Sequence, residues 1–477
     1  MLLSLGLCFA VSAAACAGTP TPSTRSATTT TTTTATAPAT ARADASSPRV
    51  QPRATTKRFI TRVSRNGRFF LDQLGAPILV KGDSPWAILV DASRARMDSY
   101  VATRRSQGFN TVLVSLLGNT ANGGPANNGR TYDGKLPFVG GNPRRLANAY
   151  WDRVAHFIRE CRSRGITVMA YPIDGWTGTS AYNGLARSWS TTTARAYGVA
   201  VARRLSGFRN VIWSVGGDYP SGGNQADDAR MNAVLAGLRA GGMNRINTIQ
   251  FTPDETSLDS RYWKPKVDFS FVYSYVASYR MVQRGYGQTR SGRHLPALLG
   301  ETHYENYSGV TSRYLRSQAA WALTSGSPGD FYGSEDVWDE APTSAALNAT
   351  GARQVSAIRR VFGRQPGWNR LIPDFSSTFI TAGRGTRDTS GEYFSGNTYV
   401  TGARKADGRL AVIYLPDASR RITIDQSKMG RGYTARWVNP TNGNSVAATE
   451  RATYSRNSPH GDGANDWLLV LRSTRAR

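Results

Sequence analysis

The chain has 477 residues, 40% hydrophobic and 10% aromatic, enough for one large domain and a smaller one with a sizeable core. Its formal net charge is +27, carried by arginines scattered along predicted outer helix faces (Arg94, Arg104, Arg105, Arg153, Arg159, Arg203, Arg204). That scatter reads as a solvated surface loosely attractive to polyanions rather than a dedicated nucleic-acid site, which would gather its basic residues into one block. Cys8 and Cys16 lie in an N-terminal apolar stretch and leave Cys161 alone in the body, while His156, His294, His303 and His460 are far apart. A disulfide framework within the folded part and a Cys-built metal site are therefore excluded, and neither a His-rich zinc site nor a cofactor is expected.

Residues 1–18, MLLSLGLCFAVSAAACAG, match a secretory signal peptide in length and small-residue content and are short for a membrane span. Ala13-Ala14-Ala15-Cys16 resembles a bacterial lipobox, which would lipidate Cys16; plain cleavage after Ala15 or Ala17 is the alternative. Residues 19–56 are rich in Thr, Pro, Ala and Ser and carry too little apolar surface to fold, as expected of a tether. The expectation is a secreted protein, or one held on the outer membrane face only by a lipid.

Order is predicted from about residue 57. Segment 62–71 reads as a hairpin with Asn66-Gly67 in a type I′ turn. Apolar strand candidates follow at 77–82, 110–117, 166–172, 211–215, 247–251, 268–274, 296–300 and 329–332. Between them, segment 147–164 places Ala147, Tyr150, Trp151, Val154, Phe157, Ile158 and Cys161 at helical spacing, and 191–206, 226–240, 311–325 and 343–362 behave alike. Gly-rich stretches 121–130 and 281–292 read as loops. Eight strands with intervening helices over residues 57–368 predict a (β/α)8 TIM barrel. Beyond, 369–477 loses helical periodicity. Short runs at 378–381, 398–403, 410–415, 421–424, 434–438 and 467–471, with Asp407-Gly408 and Asn442-Gly443 as turns, predict a small all-β sandwich.

The predicted strand ends carry acids and aromatics. The first leads to Asp83 and Trp86, the third to Asp174 and Trp176, the fourth to Asp218 and Tyr219, and the sixth to Tyr273 and Tyr275. The seventh leads to Glu301, His303, Tyr304 and Glu305, and the eighth to Tyr332. In such barrels the C-terminal rim carries the catalytic side chains, and carboxylates with aromatic faces suit a sugar's hydroxyls and C–H surfaces. Asp83 and Asp174 could instead cap helices, and Trp86 and Trp176 could be rim packing. For Asp218 and Glu301 the structural alternative is a buried ion pair with Arg or Lys. Two carboxylates facing one pocket are the working parts of a glycoside hydrolase, and Glu305 competes with Glu301 for its role. The chain has no Walker-type phosphate loop, no H-E-x-x-H and no G-x-S-x-G elbow.

These motifs together resemble a family. Gly82-Asp83-Ser84-Pro85-Trp86, Gln107-Gly108-Phe109-Asn110, Asn148-Ala149-Tyr150-Trp151, Arg209–Asp218 and Gly300–Glu305 are similar to the apiosidase-like glycoside hydrolases. The tail, with Val412–Pro416 and Trp437–Gly443, resembles the collagen-binding domain of a collagenase. The resemblance, over about 60–472, implies a retaining barrel glycosidase with Asp218 as acid/base and Glu301 as nucleophile. Ser84, Tyr273-Ser274-Tyr275, Thr302 and 329–333 depart from the family pattern at positions expected to line the pocket, so the reaction class carries over and the apiose specificity does not. The implied partner is a plant or bacterial cell-wall polysaccharide, acidic or neutral, cleaved by a monomer. The competing reading is a non-catalytic glycan- or matrix-binding surface protein, in which Asp218 and Glu301 would be tied up by Arg or Lys.

Overall fold

The computed structural model describes residues 57–176, 178–338, 341–387 and 397–477. The predicted signal peptide, Cys16 and tether lie outside the described residues. Within them, eight parallel strands alternate with helices: β1 (Val80–Asp83), β2 (Thr111–Ser115), β3 (Thr167–Tyr171), β4 (Val211–Tyr219), β5 (Asn247–Phe251), β6 (Ser270–Tyr273), β7 (Ala297–Glu301) and β8 (Gly329–Tyr332). They are hydrogen-bonded in the order β5-β4-β3-β2-β1-β8-β7-β6. β5 and β6 meet where the Asp268 amide donates to Asn247 O and the Thr248 hydroxyl to Phe269 O, both at 2.8 Å. The helices are α1 (Arg94–Ser106), α2 (Asn148–Ser163), α3 (Thr191–Leu205), α4 (Gln225–Ala240), α5 (Ser278–Gly287), α6 (Ser312–Thr324) and α7 (Thr350–Gly363). The fold is the (β/α)8 barrel that the alternation predicts. No helix among the described residues is long and apolar enough to cross a membrane.

Strand alternation divides the core. On β2, Val112 and Val114 pack outward against the helices while Leu113 points into the barrel with Met169, Ile212, Phe271, Leu298 and Phe331. Two glycines make room inside: a Cβ on Gly82 would lie 2.4 Å from the Phe331 ring, and one on Gly300 2.2 Å from Phe271. A three-stranded sheet (Ile60–Val63, Phe70–Asp72, Pro77–Ile78) closes the N-terminal end, with the Ile60 amide on Thr167 Oγ1 at 3.1 Å and the Phe70 ring against Phe269.

Three sequence expectations are corrected here. In the turn at 66–67 only Gly67 has positive φ (+67°). The loop instead runs from Ser64 to Phe69, with Ser64 Oγ accepting from the Arg68 and Phe69 amides, so it is not a type I′ turn. Most of 281–292 is helix and a short hairpin rather than loop. Gly285 sits inside α5 because a Cβ there would press on Val272 and Ala297 at 3.0–3.1 Å, so this glycine serves close helix–sheet packing. Finally, Arg104 and Arg153 are buried rather than outward-facing, Arg104 against Asp83 and Arg153 on the Leu89 and Ala92 carbonyls.

After α7 the chain forms two antiparallel sheets, one of six strands ordered 372–373, 401–404, 410–415, 467–472, 434–438, 445–448, and one of three. Strand Leu410–Leu415 is apolar throughout because both of its faces are covered. Ala411, Ile413 and Leu415 fill the core between the two sheets, and Leu410, Val412 and Tyr414 pack on Trp321, Ile358 and Phe362 of the barrel helices. α6 is consequently buried all round from Tyr314 to Thr324. Its polar residues are matched across the seam: Arg316 to Asp466 (2.6 Å) and Asp462, Ser317 to Tyr414 Oη (2.6 Å), and Trp321 Nε1 to Tyr399 O (2.9 Å).

Candidate active site

The end of β4 is built to present a carboxylate. Gly216, Gly217 and Asp218 all have positive φ (+92°, +88° and +49°), and the pairing with β5 jumps from Gly216↔Gln250 to Tyr219↔Phe251. A Cβ on Gly216 would fall 2.0 Å from Gln250 O, and one on Gly217 2.5 Å from Asp174 Oδ1. The Gly-Gly pair thus permits a bulge that swings Asp218 into the barrel mouth. Glu301 ends β7, which is separated from β4 by β5 and β6 around the barrel.

Both acids open on one cavity of about 580 Å³. Its floor is Asp174, Asp218, Gln250 and Glu301. Its walls are aromatic: Trp86, Trp176, Tyr273, Tyr275, Tyr304 and Trp338, with the half-exposed Tyr307 at the lip and Asn122 and Glu335 at the sides. Tyr307 is held between Asn306 (φ +70°) and Ser308 (φ +47°).

Glu301 is buried and its two oxygens are separately addressed. Tyr304 Oη donates to Oε1 at 2.7 Å and itself accepts from Trp86 Nε1 at 2.7 Å, while Gln250 Nε2 donates to Oε2, its own amide oxygen accepting from Tyr171 Oη at 2.6 Å. Among the described residues no Arg or Lys lies within 4 Å of the Glu301 or Asp218 carboxylate, so neither acid sits in the buried ion pair that a structural role would have required. Burial, then the Asp218 charge, drives the Glu301 carboxyl well above its usual range. Burial, then Asp174, pushes Asp218 up to about 7, against hydrogen bonding from Tyr273, Gln250 and Trp176. Asp174 is pushed up to about 6 by burial, although Ser115, Asn119, Asn122 and the Trp176 amide all donate to it. Three carboxyls crowded in a poorly solvated space cannot all ionise at neutral pH.

Of the residues singled out from sequence, the structure brings Trp86, Asp174, Trp176, Asp218, Tyr273, Tyr275, Glu301 and Tyr304 into this cavity. Asp83, Tyr219, His303, Glu305 and Tyr332 stand behind it, which corrects their placement as substrate contacts. Asp83 faces the helix layer, fully buried against Tyr100 and Arg104 of α1. Tyr219, next to Asp218, points the opposite way by strand alternation and bonds Asp228 at 3.1 Å. His303 stacks on the outer face of Tyr275 with ring centroids 3.6 Å apart, and burial lowers its pKa to about 4, so it stays neutral. Glu305 accepts from the Gly351 amide at 2.8 Å, supplying negative charge at the start of α7, where Ala349 offers no side-chain cap, and Tyr332 Oη donates to it. Glu305 therefore does not compete with Glu301. Among the family departures, Ser84 and Thr302 are buried away from the cavity, and only Tyr273 and Tyr275 line it.

Sequence reading missed Asn122, Gln250, Tyr307, Glu335 and Trp338. Gln250 had a visible signal, an amide between Ile249 and Phe251 near the end of strand Asn247–Phe251. The other four sit on loops or one-turn helices, where no periodicity marks them.

An eight-stranded barrel with two carboxylates and an aromatic wall at its C-terminal mouth is the architecture of barrel glycoside hydrolases. The solved structures agree at the level of fold. A protein described as a glycoside hydrolase superposes with TM-score 0.73 at 20% identity, covering 87% of this chain and 97% of its own. A glycoside hydrolase family 5 protein from Bacteroides vulgatus ATCC 8482 gives 0.72 at 20% identity, covering 87% and 94%. No protein of curated function matches the sequence. The model of the apiosidase-like catalytic domain matches residues 64–369, and the chain belongs to that family and is a glycosidase. Residues 390–472 match a second model, described as "Putative collagen-binding domain of a collagenase".

Proposed function

We propose that the protein is an exported, surface-held or secreted glycosidase that cleaves a cell-wall polysaccharide with retention of configuration. The observation that carries this reading is the pair Asp218 and Glu301, buried in one aromatic-walled cavity with no Arg or Lys among the described residues paired to either. Glu301 attacks the anomeric carbon, and Asp218 protonates the departing oxygen and then takes a proton from the incoming water. The pair holds one proton at neutral pH. As the anomeric centre gains positive charge beside Glu301, that charge and the Tyr304 and Gln250 donors stabilise the Glu301 anion, leaving the proton on Asp218. Trp86, Trp176 and Trp338 supply faces for sugar rings. Asp174, held by four donors, keeps a negative field near Asp218 and so favours its protonated form.

A panel of pectic and bacterial cell-wall polysaccharides, assayed for released reducing sugar, tests the reading. Hydrolysis of at least one polymer by the parent, lost in Glu301→Ala with unchanged folding, is the expected result. Equal hydrolysis by both would reject it. Export is checked by fractionating producing cells, with substitution of Cys16 by Ala releasing the protein from the membrane if a lipid holds it.

A further inference from the structure

The +27 charge is not evenly spent. At the base of the barrel, remote from the active site, a groove of about 1390 Å³ opens between α7 and the six-stranded sheet. Four exposed arginines line it: Arg360 from α7, Arg364 from the C-cap just past it, and Arg436 and Arg472 from neighbouring strands. Arg360 and Arg364 are four residues apart across the helix end, a spacing at which like charges repel. On the sheet Arg472 pairs with Thr434 and Arg436 with Val470, which makes the two arginines diagonal neighbours on one face. Each surface therefore contributes a like-charged pair to the same groove. Among the described residues none of the four makes a salt bridge. Their only directed contacts are to neutral acceptors, Arg436 to Ser445 and Arg472 Nη2 to Arg364 O. The field reaches a neighbour: Lys81 is lowered to about 8 by burial and then by repulsion from Arg359, Arg105, Arg360 and Arg364.

We infer that this groove is a second carbohydrate site, which holds a carboxylated polysaccharide chain by its uronate groups. Guanidinium forks match carboxylates, and the exposed Asn442 and Asn444 amides that share the lining suit sugar hydroxyls. Among the described residues no aromatic ring lines the groove, so they offer none of the base-stacking platforms of single-strand nucleic-acid binders. A self-repelling cluster costs stability when empty and is relieved by a polyanion. The choice of a polysaccharide as the anion rests on the function proposed above. The groove's position lets the enzyme hold a polymer while the mouth of the barrel works elsewhere on it.

The test is calorimetric titration of the full chain with a polygalacturonate oligomer of about ten units, in parallel with dextran, a polyphosphate and a single-stranded thymidine oligomer. The parent should bind polygalacturonate more tightly than the other three. Arg360→Gln/Arg364→Gln/Arg436→Gln/Arg472→Gln should weaken it at least tenfold, and Arg360→Gln/Arg364→Gln should weaken it severalfold without touching the sheet. A charge-matched control, Arg94→Gln/Arg159→Gln/Arg195→Gln/Arg203→Gln on the outer barrel helices, should change it less than twofold. Glu301→Gln should bind as the parent does, and turnover of a small aryl glycoside should be the same in the groove variant and the parent. Equal weakening by groove and control variants, tighter binding of polyphosphate or DNA, or loss of binding in Glu301→Gln would overturn the inference. Absence of turnover in every sample would count against the proposed function alone.

Discussion

The seam between α6 and the β domain and the mouth of the barrel both bury acids, and they treat them in opposite ways. At the seam Asp466 and Asp462 meet Arg316, and on nearby elements Asp330 meets Arg359 and Asp83 meets Arg104, each within hydrogen-bond distance. Asp462, at the exposed rim of this seam, is held below the usual carboxylate range, the cost of partial burial being outweighed by its Arg316 bonds. At the mouth Asp174, Asp218 and Glu301 have only neutral donors and all three are raised. A pair of opposite charges recovers much of the cost of desolvating its members, whereas uncompensated acids do not. Among the described residues of a chain rich in arginine, none is ion-paired with the three acids of the cavity. The acids that hold the molecule together and the acids proposed to do its chemistry thus differ in their partners.

The comparison can be broken from either side. The largest effect is expected at the mouth: Glu301→Ala should lower kcat by about 10⁴-fold or more while the circular dichroism spectrum stays that of the parent. Asp218→Asn should cost about 10²–10⁴-fold, with smaller losses on substrates bearing good leaving groups, which need less protonation. At the seam the signature reverses. Arg316→Ala strands the buried Asp466 and should destabilise by about 3–5 kcal/mol in denaturant unfolding, with kcat at low temperature near that of the parent.

A pH profile sharpens the contrast. Because Asp218 must be protonated and sits near 7, activity should fall as pH rises through about 7, and Asp174→Asn should move that limb to lower pH by removing a nearby negative charge. Stability carries the opposite sign from a paired acid. A carboxyl whose pKa is raised by folding favours the folded state only while protonated, so its contribution is present below the unfolded value near 4 and lost as pH rises through 6–7. Glu301→Gln should accordingly raise Tm by a few degrees at pH 7, a gain that shrinks near pH 4. The smallest of these effects is expected from Glu305→Gln, which keeps its place at the start of α7 and should lower Tm slightly with no change in kcat.

Much of this was legible in the sequence, for physical reasons that differ by region. Strands such as β7 and Leu410–Leu415 are covered on both faces, so their apolar runs were unbroken and their ends sharp. Asp218 and Glu301 stood out because each terminates such a run. Side-chain direction at a strand end was not legible. Asp83 and Tyr219 face the helix layer because register and the Gly216-Gly217 bulge decide which neighbour points inward, and these depend on pairing partners distant in sequence. Loop-borne Glu335 and Trp338 left no periodic trace. The helical spacing of 311–325 did not show that α6 is buried on its polar side as well, because that side is covered by the β domain.

The most direct test of the central claim is to find which residue becomes glycosylated. The enzyme would be incubated with a 2-deoxy-2-fluoro glycoside of the sugar it hydrolyses, then digested and analysed by peptide mass spectrometry. The account predicts a glycosyl adduct on the peptide containing Glu301, absent in Glu301→Gln. An adduct on Asp218, or no adduct together with a first-formed product of inverted configuration, would contradict it.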